Sequence, residues 1–319
     1  MPNSSPPSHY REYPDQHISQ QFYLPSVGSH RIFVRLLGHR DGQAMVALHG
    51  GPGSGCNDAM AAPFDLERFL LVMIDQRGCG RSRPQGRVHQ NTTAWLIRDI
   101  ETVRRYLGIP RWHVYGGSWG ASLALAYAGA HPGAVQSLLL RSLFLATPNE
   151  VRNLLYRSRY RHPKAWQHLS SLVNASDPTA LLAAIYDQLQ SPGPYAGAIA
   201  NAYSNLERAL LLPHKPPRPL APSTPKTERL RGKYHIQSHY LMRNCFMSSD
   251  YLAAQARRAY EHGIGGVAIH GRHDPLCPPS NLTWLTRHMP SMQTQLVDAK
   301  HLAHEPAMHR ALQEAARQL

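Results

Sequence analysis

The sequence predicts an α/β fold: a mostly parallel sheet with helices on both faces and an inserted helical cap. Three observations carry this. Strand-like and helix-like segments alternate through the first half of the 319-residue chain, as in a sheet wound by crossover helices. The alternation stops at about Phe144 and resumes at Gly266, with helix-like segments between. A tight glycine turn, Gly116-Gly117-Ser118-Trp119-Gly120, joins a bulky strand-like run to a strong helix former.

Taken in order, residues 1–20 are polar and proline-bearing, with no apolar core of the kind a signal peptide needs. They are expected to form a partly ordered arm. Segments 31–37, 43–49 and 69–75 are rich in Val, Ile, Leu and Phe and are expected as strands. Residues 92–107 read as an amphipathic helix, because Trp95, Ile100, Val103 and Leu107 recur at helical spacing with charges between them. Segment 111–115 is a strand, 121–128 an Ala/Leu helix, and 136–141 a further strand. From Phe144 to about Glu261 helices dominate. Within that stretch 214–226 is basic and carries five prolines, so it is expected as an exposed loop. Strands return at 266–270 and 293–297, and a helix over 307–318 closes the chain. The expected division is an arm (1–27), a core (28–143 and 262–319) and a cap (144–261).

Composition narrows the class. Hydrophobic residues make up 42% of the chain, ordinary for a globular protein, and no apolar run approaches a membrane span. The four cysteines, Cys56, Cys79, Cys245 and Cys277, have neither metal-type spacing nor disulfide density. Free thiols in a reducing cytoplasm, with no metal and no cofactor, are the expectation. Cys79, flanked by glycines, reads as a small buried turn residue. The net charge is +14, and residues 144–258 hold 15 Lys/Arg against 6 Asp/Glu. A basic surface of this kind can meet an anionic partner or be a solvated face. No nucleic-acid-binding signature accompanies it, so no nucleic-acid partner is expected.

The glycine turn is where chemistry begins. A strand, a turn of the form G-x-S-x-G and a helix together make a nucleophile elbow, which exposes a serine hydroxyl above a sheet. Ser118 is therefore the candidate nucleophile. A serine hydroxyl needs a base to take its proton, and the base needs an orienting acid. Asp274 follows the strand at 266–270, and His301 follows the strand at 293–297, so all three can meet at one sheet edge. His304 and Asp298 compete for these roles by position. A second glycine-rich turn, His49-Gly50-Gly51-Pro52-Gly53, also follows a strand and can aim backbone N–H groups at a developing oxyanion. Gly51 is the first candidate donor, with Gly50 as the alternative, and Trp119 N–H is the second donor.

These stretches, with Asp75-Gln76-Arg77-Gly78-Cys79-Gly80-Arg81-Ser82, Asn91-Thr92-Thr93 and Gly271-Arg272-His273-Asp274, resemble the prolyl aminopeptidase (proline iminopeptidase) branch of the α/β-hydrolases. The resemblance runs from about Gly28 to the end. It implies the α/β-hydrolase fold and a cap whose two glutamates bind the substrate's N-terminal ammonium. One falls on Glu207, in Ala202-Tyr203-Ser204-Asn205-Leu206-Glu207, where the family's two tryptophans are absent. The other falls on Gln237, in Ile236-Gln237-Ser238-His239-Tyr240-Leu241, which brings no charge. Lys300 stands where the family has glycine before the histidine.

The functional expectation is a serine aminopeptidase releasing proline or a small residue from a small peptide or amide. The alternative is an esterase or amidase for a small acyl or carboxylate-bearing substrate without a free amine. A non-catalytic binding protein on the same scaffold is the third reading, and the intact Ser118, Asp274 and His301 speak against it.

Overall fold

The computed structural model describes residues 17–25, 28–221 and 224–319. An eight-stranded sheet runs through the molecule. Its strands are β1 (His17–Tyr23), β2 (Phe33–His39), β3 (Gln43–Leu48), β4 (Phe69–Asp75), β5 (Trp112–Gly117), β6 (Val135–Arg141), β7 (Gly266–Gly271) and β8 (Met292–Val297). The order across the sheet is β1-β2-β4-β3-β5-β6-β7-β8. β1 and β2 pair antiparallel, as do β2 and β4; every other pairing is parallel.

Central strands of a parallel sheet are covered on both faces, so they read as continuous apolar runs. β3 shows this. Met45 and Ala47 point into one core, and Val46 and Leu48 into the other. The core of Met45 and Ala47 packs against α10 (Pro306–Arg317); that of Val46 and Leu48 packs against α1 (Thr93–Tyr106), α2 (Trp119–Ala130) and α8 (Ser249–Glu261). Between β6 and α8 lie α3 (Pro148–Arg161), α4 (Pro163–Val173), α5 (Pro178–Gln188), α6 (Pro194–Leu211) and α7 (Pro225–Leu241). α9 (Asn281–His288) adds to the elements read from sequence.

Three segments differ from their sequence reading. Residues 17–23, read as part of the arm, form the edge strand β1 paired along β2; residues 1–16 and 26–27 of that arm lie outside the described residues. His-Ile-Ser-Gln-Gln-Phe-Tyr is too polar to announce a strand, and an edge position tolerates that. α8, read with the cap, packs on α2 and α9 of the core, because a helical pattern does not say which layer it joins. The loop read over 214–226 gives way to α7 at Pro225, with Thr224 as N-cap accepting the Thr227 N–H at 3.1 Å. Proline at the first helical position starts a helix readily. The loop's exposed part is tied to α6, where Asn205 accepts the Arg218 N–H at 2.8 Å. Pro222 and Ser223 lie outside the described residues.

The segment after β4 is anchored by a buried ion pair. Arg77 donates from Nε to Oδ2 of Asp99 at 2.5 Å and from Nη2 to Oδ1 at 2.7 Å, and its guanidinium lies over Trp95 at 4.4 Å. Burial pushes the Asp99 carboxyl up to about 6 against the pull of Arg77. Removing one partner of such a pair costs roughly 3–5 kcal/mol. Among the described residues no helix is long and apolar enough to cross a membrane.

Candidate active site

The parallel strands β3, β5, β6, β7 and β8 end at one edge, and the candidate residues follow those ends. In sheets of this kind the crevice beyond the carboxyl ends of the strands is where ligands bind.

Ser118 links β5 to α2 with φ 57° and ψ −124°. A non-glycine residue held there costs of order 1–3 kcal/mol and persists only where the surroundings dictate it. Here the glycines of the turn allow it: a Cβ on Gly116 would sit 2.2 Å from the Gly120 carbonyl, and one on Gly120 would sit 2.1 Å from the Leu48 carbonyl. Strand β5, α2 and the end of β3 approach this closely only through glycine. The Ser118 N–H is bonded to the Arg141 carbonyl at 2.9 Å.

His301 and Asp274 meet. Nδ1 of His301 lies 2.7 Å from Oδ2 of Asp274, whose side chain is fully buried. Asp274 Oδ1 accepts the backbone N–H groups of Leu276 at 2.8 Å and Cys277 at 3.0 Å. Burial alone would raise this carboxyl; the facing His301 and these donors outweigh it and hold it down to about 2. The carboxylate is thus an acceptor, so the His301 proton sits on Nδ1 and its Nε2 keeps a free lone pair. The competitors separate from this pair: Asp298 is exposed and bonds His273 at 2.9 Å, and His304 is exposed.

Two groups that sequence reasoning missed hold the His301 segment. Glu305 accepts the Lys300 N–H at 2.8 Å and the Leu302 N–H at 2.9 Å, one on each side of His301. Arg141 donates to the His301 carbonyl. Since β6 lies between β5 and β7, Arg141 reaches the serine turn with its carbonyl and the histidine loop with its side chain.

Cys277 stands beside this cluster and lines the same cavity as Ser118. Side-chain ligand atoms of Asp274, Cys277 and His301 all lie within 4.8 Å of one another, a grouping that invites a metal. Their chemistry argues otherwise: His301 Nδ1 is committed to the carboxylate, and burial holds the Cys277 thiol well above its ordinary value, hence protonated. All four cysteines are free. Cys79 is buried, its thiol donating to the Arg77 carbonyl at 3.3 Å and its pKa raised by burial.

The glycine loop after β3 is fixed by Gln76, a third residue that spacing does not single out. Gln76 donates from its side chain to the His49 carbonyl at 2.7 Å and accepts the Trp119 indole N–H at 3.0 Å. Its backbone N–H donates to His49 Nε2 at 3.0 Å. His49 therefore carries its proton on Nδ1, 2.9 Å from the Gly50 carbonyl, and burial lowers its pKa, which keeps it neutral.

Ser118 and Gly51 line a narrow cavity of about 50 Å³, roofed by α3, α6 and α7. Gly50 is not on its wall. Phe144, Leu154, Leu155, Leu206, Leu210 and Leu276 make most of the surface apolar, and Glu207 and Gln237 stand on it together. Glu207 is not free: Oε2 accepts from Lys233 Nζ and from the Tyr234 hydroxyl at 3.0 Å, and Oε1 accepts from Gln237 Nε2 at 3.3 Å. Burial would raise its pKa, but Lys233 and the two other donors bring it below its ordinary value.

A family model described as alpha/beta hydrolase fold matches residues 43–307. A proline iminopeptidase of Xanthomonas citri is 35% identical over 298 residues, covering 92% of this chain and 94% of that protein. The chain belongs to the proline iminopeptidase branch of the α/β-hydrolases. A proline iminopeptidase of Neisseria meningitidis is 33% identical, over 93% of this chain and 96% of that one. Among solved structures, a proline iminopeptidase-related protein of Thermus thermophilus superposes with a TM-score of 0.58 at 22% identity, covering 95% and 98% of the two chains. The fold and the enzyme class read from the sequence stand: this is a hydrolase of the proline iminopeptidase type.

Proposed function

We propose that the protein is a serine hydrolase that removes a small acyl group from an amide or ester through an acyl-enzyme on Ser118. Ser118 Oγ attacks the acyl carbonyl carbon while its proton passes to His301 Nε2. Negative charge on the carbonyl oxygen is met by the N–H groups of Gly51 and Trp119. The bond to the leaving amine or alcohol then breaks, and His301 returns the proton to it. Water, deprotonated by the same nitrogen, attacks the acyl-enzyme; the bond to Ser118 Oγ breaks, His301 returns the proton to that oxygen, and the acid is released. Asp274 holds the imidazole tautomer and steadies its positive charge. Protons and electron pairs balance on these groups and water, so the scheme calls for no cofactor.

The single observation that carries this reading is the strained Ser118 turn on the wall of a covered cavity, with the His301–Asp274 bond at the same sheet edge. The cavity's size admits a small group only, since one water already needs roughly 10–15 Å³. The relatives' name points to peptides or amides that release proline, and we widen this to proline or a small residue released from the N-terminus of a small peptide or amide. A second reading, a small acyl substrate without a free amine, is favoured by one observation, the contact of Lys233 with Glu207. Four unpaired cysteines fit a reducing compartment such as the cytoplasm.

Rapid quenching during turnover of an alanyl or acyl 4-nitroanilide, followed by mass spectrometry, tests the scheme. The acyl mass should appear on the peptide containing Ser118. Turnover with no adduct there, and no burst of nitroaniline, would remove the acyl-enzyme.

A further inference from the structure

The cavity's polar end carries charges that already cancel within the protein. Glu207 stands on its wall, and Lys233, which is not on the wall, contacts the same carboxylate. Lys233 and Gln237 lie four residues apart on α7, so both face Glu207 on α6. Three donors meet the two oxygens of Glu207: the Lys233 ammonium, the Tyr234 hydroxyl and the Gln237 amide. A ligand cation arriving here would add a second positive charge to one carboxylate already paired. Like charges held together in a poorly hydrated site disfavour one another.

Gln237 supplies what the site does offer. The carboxylate fixes the orientation of its side chain, because only the amide nitrogen can donate to Glu207. That leaves Oε1 as an acceptor. This oxygen is buried and has no partner, and the residue is 6% exposed and lines the cavity. A buried acceptor without a donor is costly to leave unmet, and a ligand N–H or O–H would satisfy it.

We propose that Glu207, Lys233 and Gln237 form a subsite for a neutral hydrogen-bond donor on the acyl group, a hydroxyl or amide N–H, and that Lys233 excludes an ammonium from it. The substrate class is then a small acyl group bearing a neutral donor. The inference rests on the acyl-enzyme reading and selects between its two substrate classes.

Lactoyl-, alanyl- and propionyl-4-nitroanilide test it, since their acyl groups match in shape and carry a hydroxyl, an ammonium and neither. At pH 6.5 the alanyl amine is protonated. The expected kcat/KM is at least about tenfold higher for lactoyl than for alanyl, with propionyl also below lactoyl. At pH 9 the neutral alanyl amine becomes a donor and the gap should narrow. Lys233→Met leaves Glu207 charged and unpaired, so the lactoyl-to-alanyl ratio should fall about tenfold or more. Lys233→Met combined with Glu207→Gln restores neutrality and should restore the ratio, which also controls for lost stability in the single variant. Alanyl turnover equal to or faster than lactoyl in the natural protein overturns the proposal, as does a ratio unmoved by Lys233→Met. Fluorophosphonate labelling of Ser118, run on each protein, separates the two levels. Labelling with ratios of the wrong sense sinks the subsite alone, and no labelling sinks the acyl-enzyme reading beneath it.

Discussion

The side-chain carbonyl of Gln76 accepts the indole N–H of Trp119 at 3.0 Å, while the amide of the same side chain donates to the His49 carbonyl at 2.7 Å. One side chain thus ties the glycine loop after β3 to the first residue of α2. Those two segments carry the N–H groups that the proposed mechanism aims at the oxyanion. Gln76 does not line the cavity, and its side-chain bonds go to His49 and Trp119, so its action would be one of positioning.

Gln76→Leu keeps the bulk and removes both bonds. It leaves the Trp119 indole N–H and the His49 carbonyl unmatched in a buried place, at roughly 1–3 kcal/mol each. Urea unfolding should show a loss of that size. With the donors loosened, kcat should fall about tenfold or more and KM should change little, because the oxyanion exists only in the transition state. A raised KM at unchanged kcat would make Gln76 a plain structural residue.

Ser118→Ala should abolish turnover, by a factor on the order of 10⁴–10⁶ in kcat, with circular dichroism and melting temperature retained. Cys277, which lines the same cavity as Ser118, is the obvious rival nucleophile. Its thiol is held protonated by burial, and Cys277→Ala should keep turnover within about tenfold. If Cys277→Ala is dead and Ser118→Ala active, the nucleophile has been misassigned.

Much of this site is legible in the chain because it depends on what directly follows a strand. Ser118, Gly51, Asp274 and His301 each stand just beyond β5, β3, β7 or β8, and parallel strands bring such positions together without any knowledge of packing. Gln76 also follows a strand, β4, yet its role depends on side-chain reach across two neighbours, which spacing does not encode. The Glu207–Lys233 contact joins α6 to α7 across 26 positions. Any of 34 basic residues could have met that carboxylate, and only the crossing of two cap helices decides which one does. For the same reason Glu207 and Gln237 could be matched to a motif, while the charge that cancels Glu207 could not.

His301→Ala should be about as damaging as Ser118→Ala, because such residues act as a unit, while His304→Ala should retain most activity. Asp274 adds a pH signature. Its folded carboxyl titrates at about 2 instead of 3.8, so it binds its proton more weakly folded than unfolded. This favours folding above pH ~4, and the contribution fades as pH falls from about 4 to 2; its size is about 2 kcal/mol. In Asp274→Asn that pH-dependent part is gone. The difference in unfolding free energy between the two proteins, measured by urea titration at several pH values, should shrink as pH falls through this window. A constant difference would contradict the depressed carboxyl.

The last prediction concerns Glu305, whose two carboxylate oxygens hold the N–H groups of Lys300 and Leu302 at 2.8 and 2.9 Å. The histidine between them projects from a segment that also receives the Arg141 side chain at its carbonyl. Lys300 cannot supply the backbone freedom that a glycine would, so these anchors set the loop. Glu305→Gln keeps one acceptor oxygen and loses the other, while Glu305→Ala loses both. Hydrogen bonds to a charged acceptor contribute roughly 1.5–3 kcal/mol each. Melting temperatures should therefore fall in the order natural protein, Glu305→Gln, Glu305→Ala. If the anchors position His301, kcat should fall in the same order, by about tenfold or more for alanine, with KM little changed. Fluorophosphonate labelling of Ser118 should slow alongside kcat, because it too needs the base in place. A drop in melting temperature with labelling rate and kcat untouched would leave Glu305 as a fold anchor and give the positioning of His301 to Arg141 and Asp274 alone.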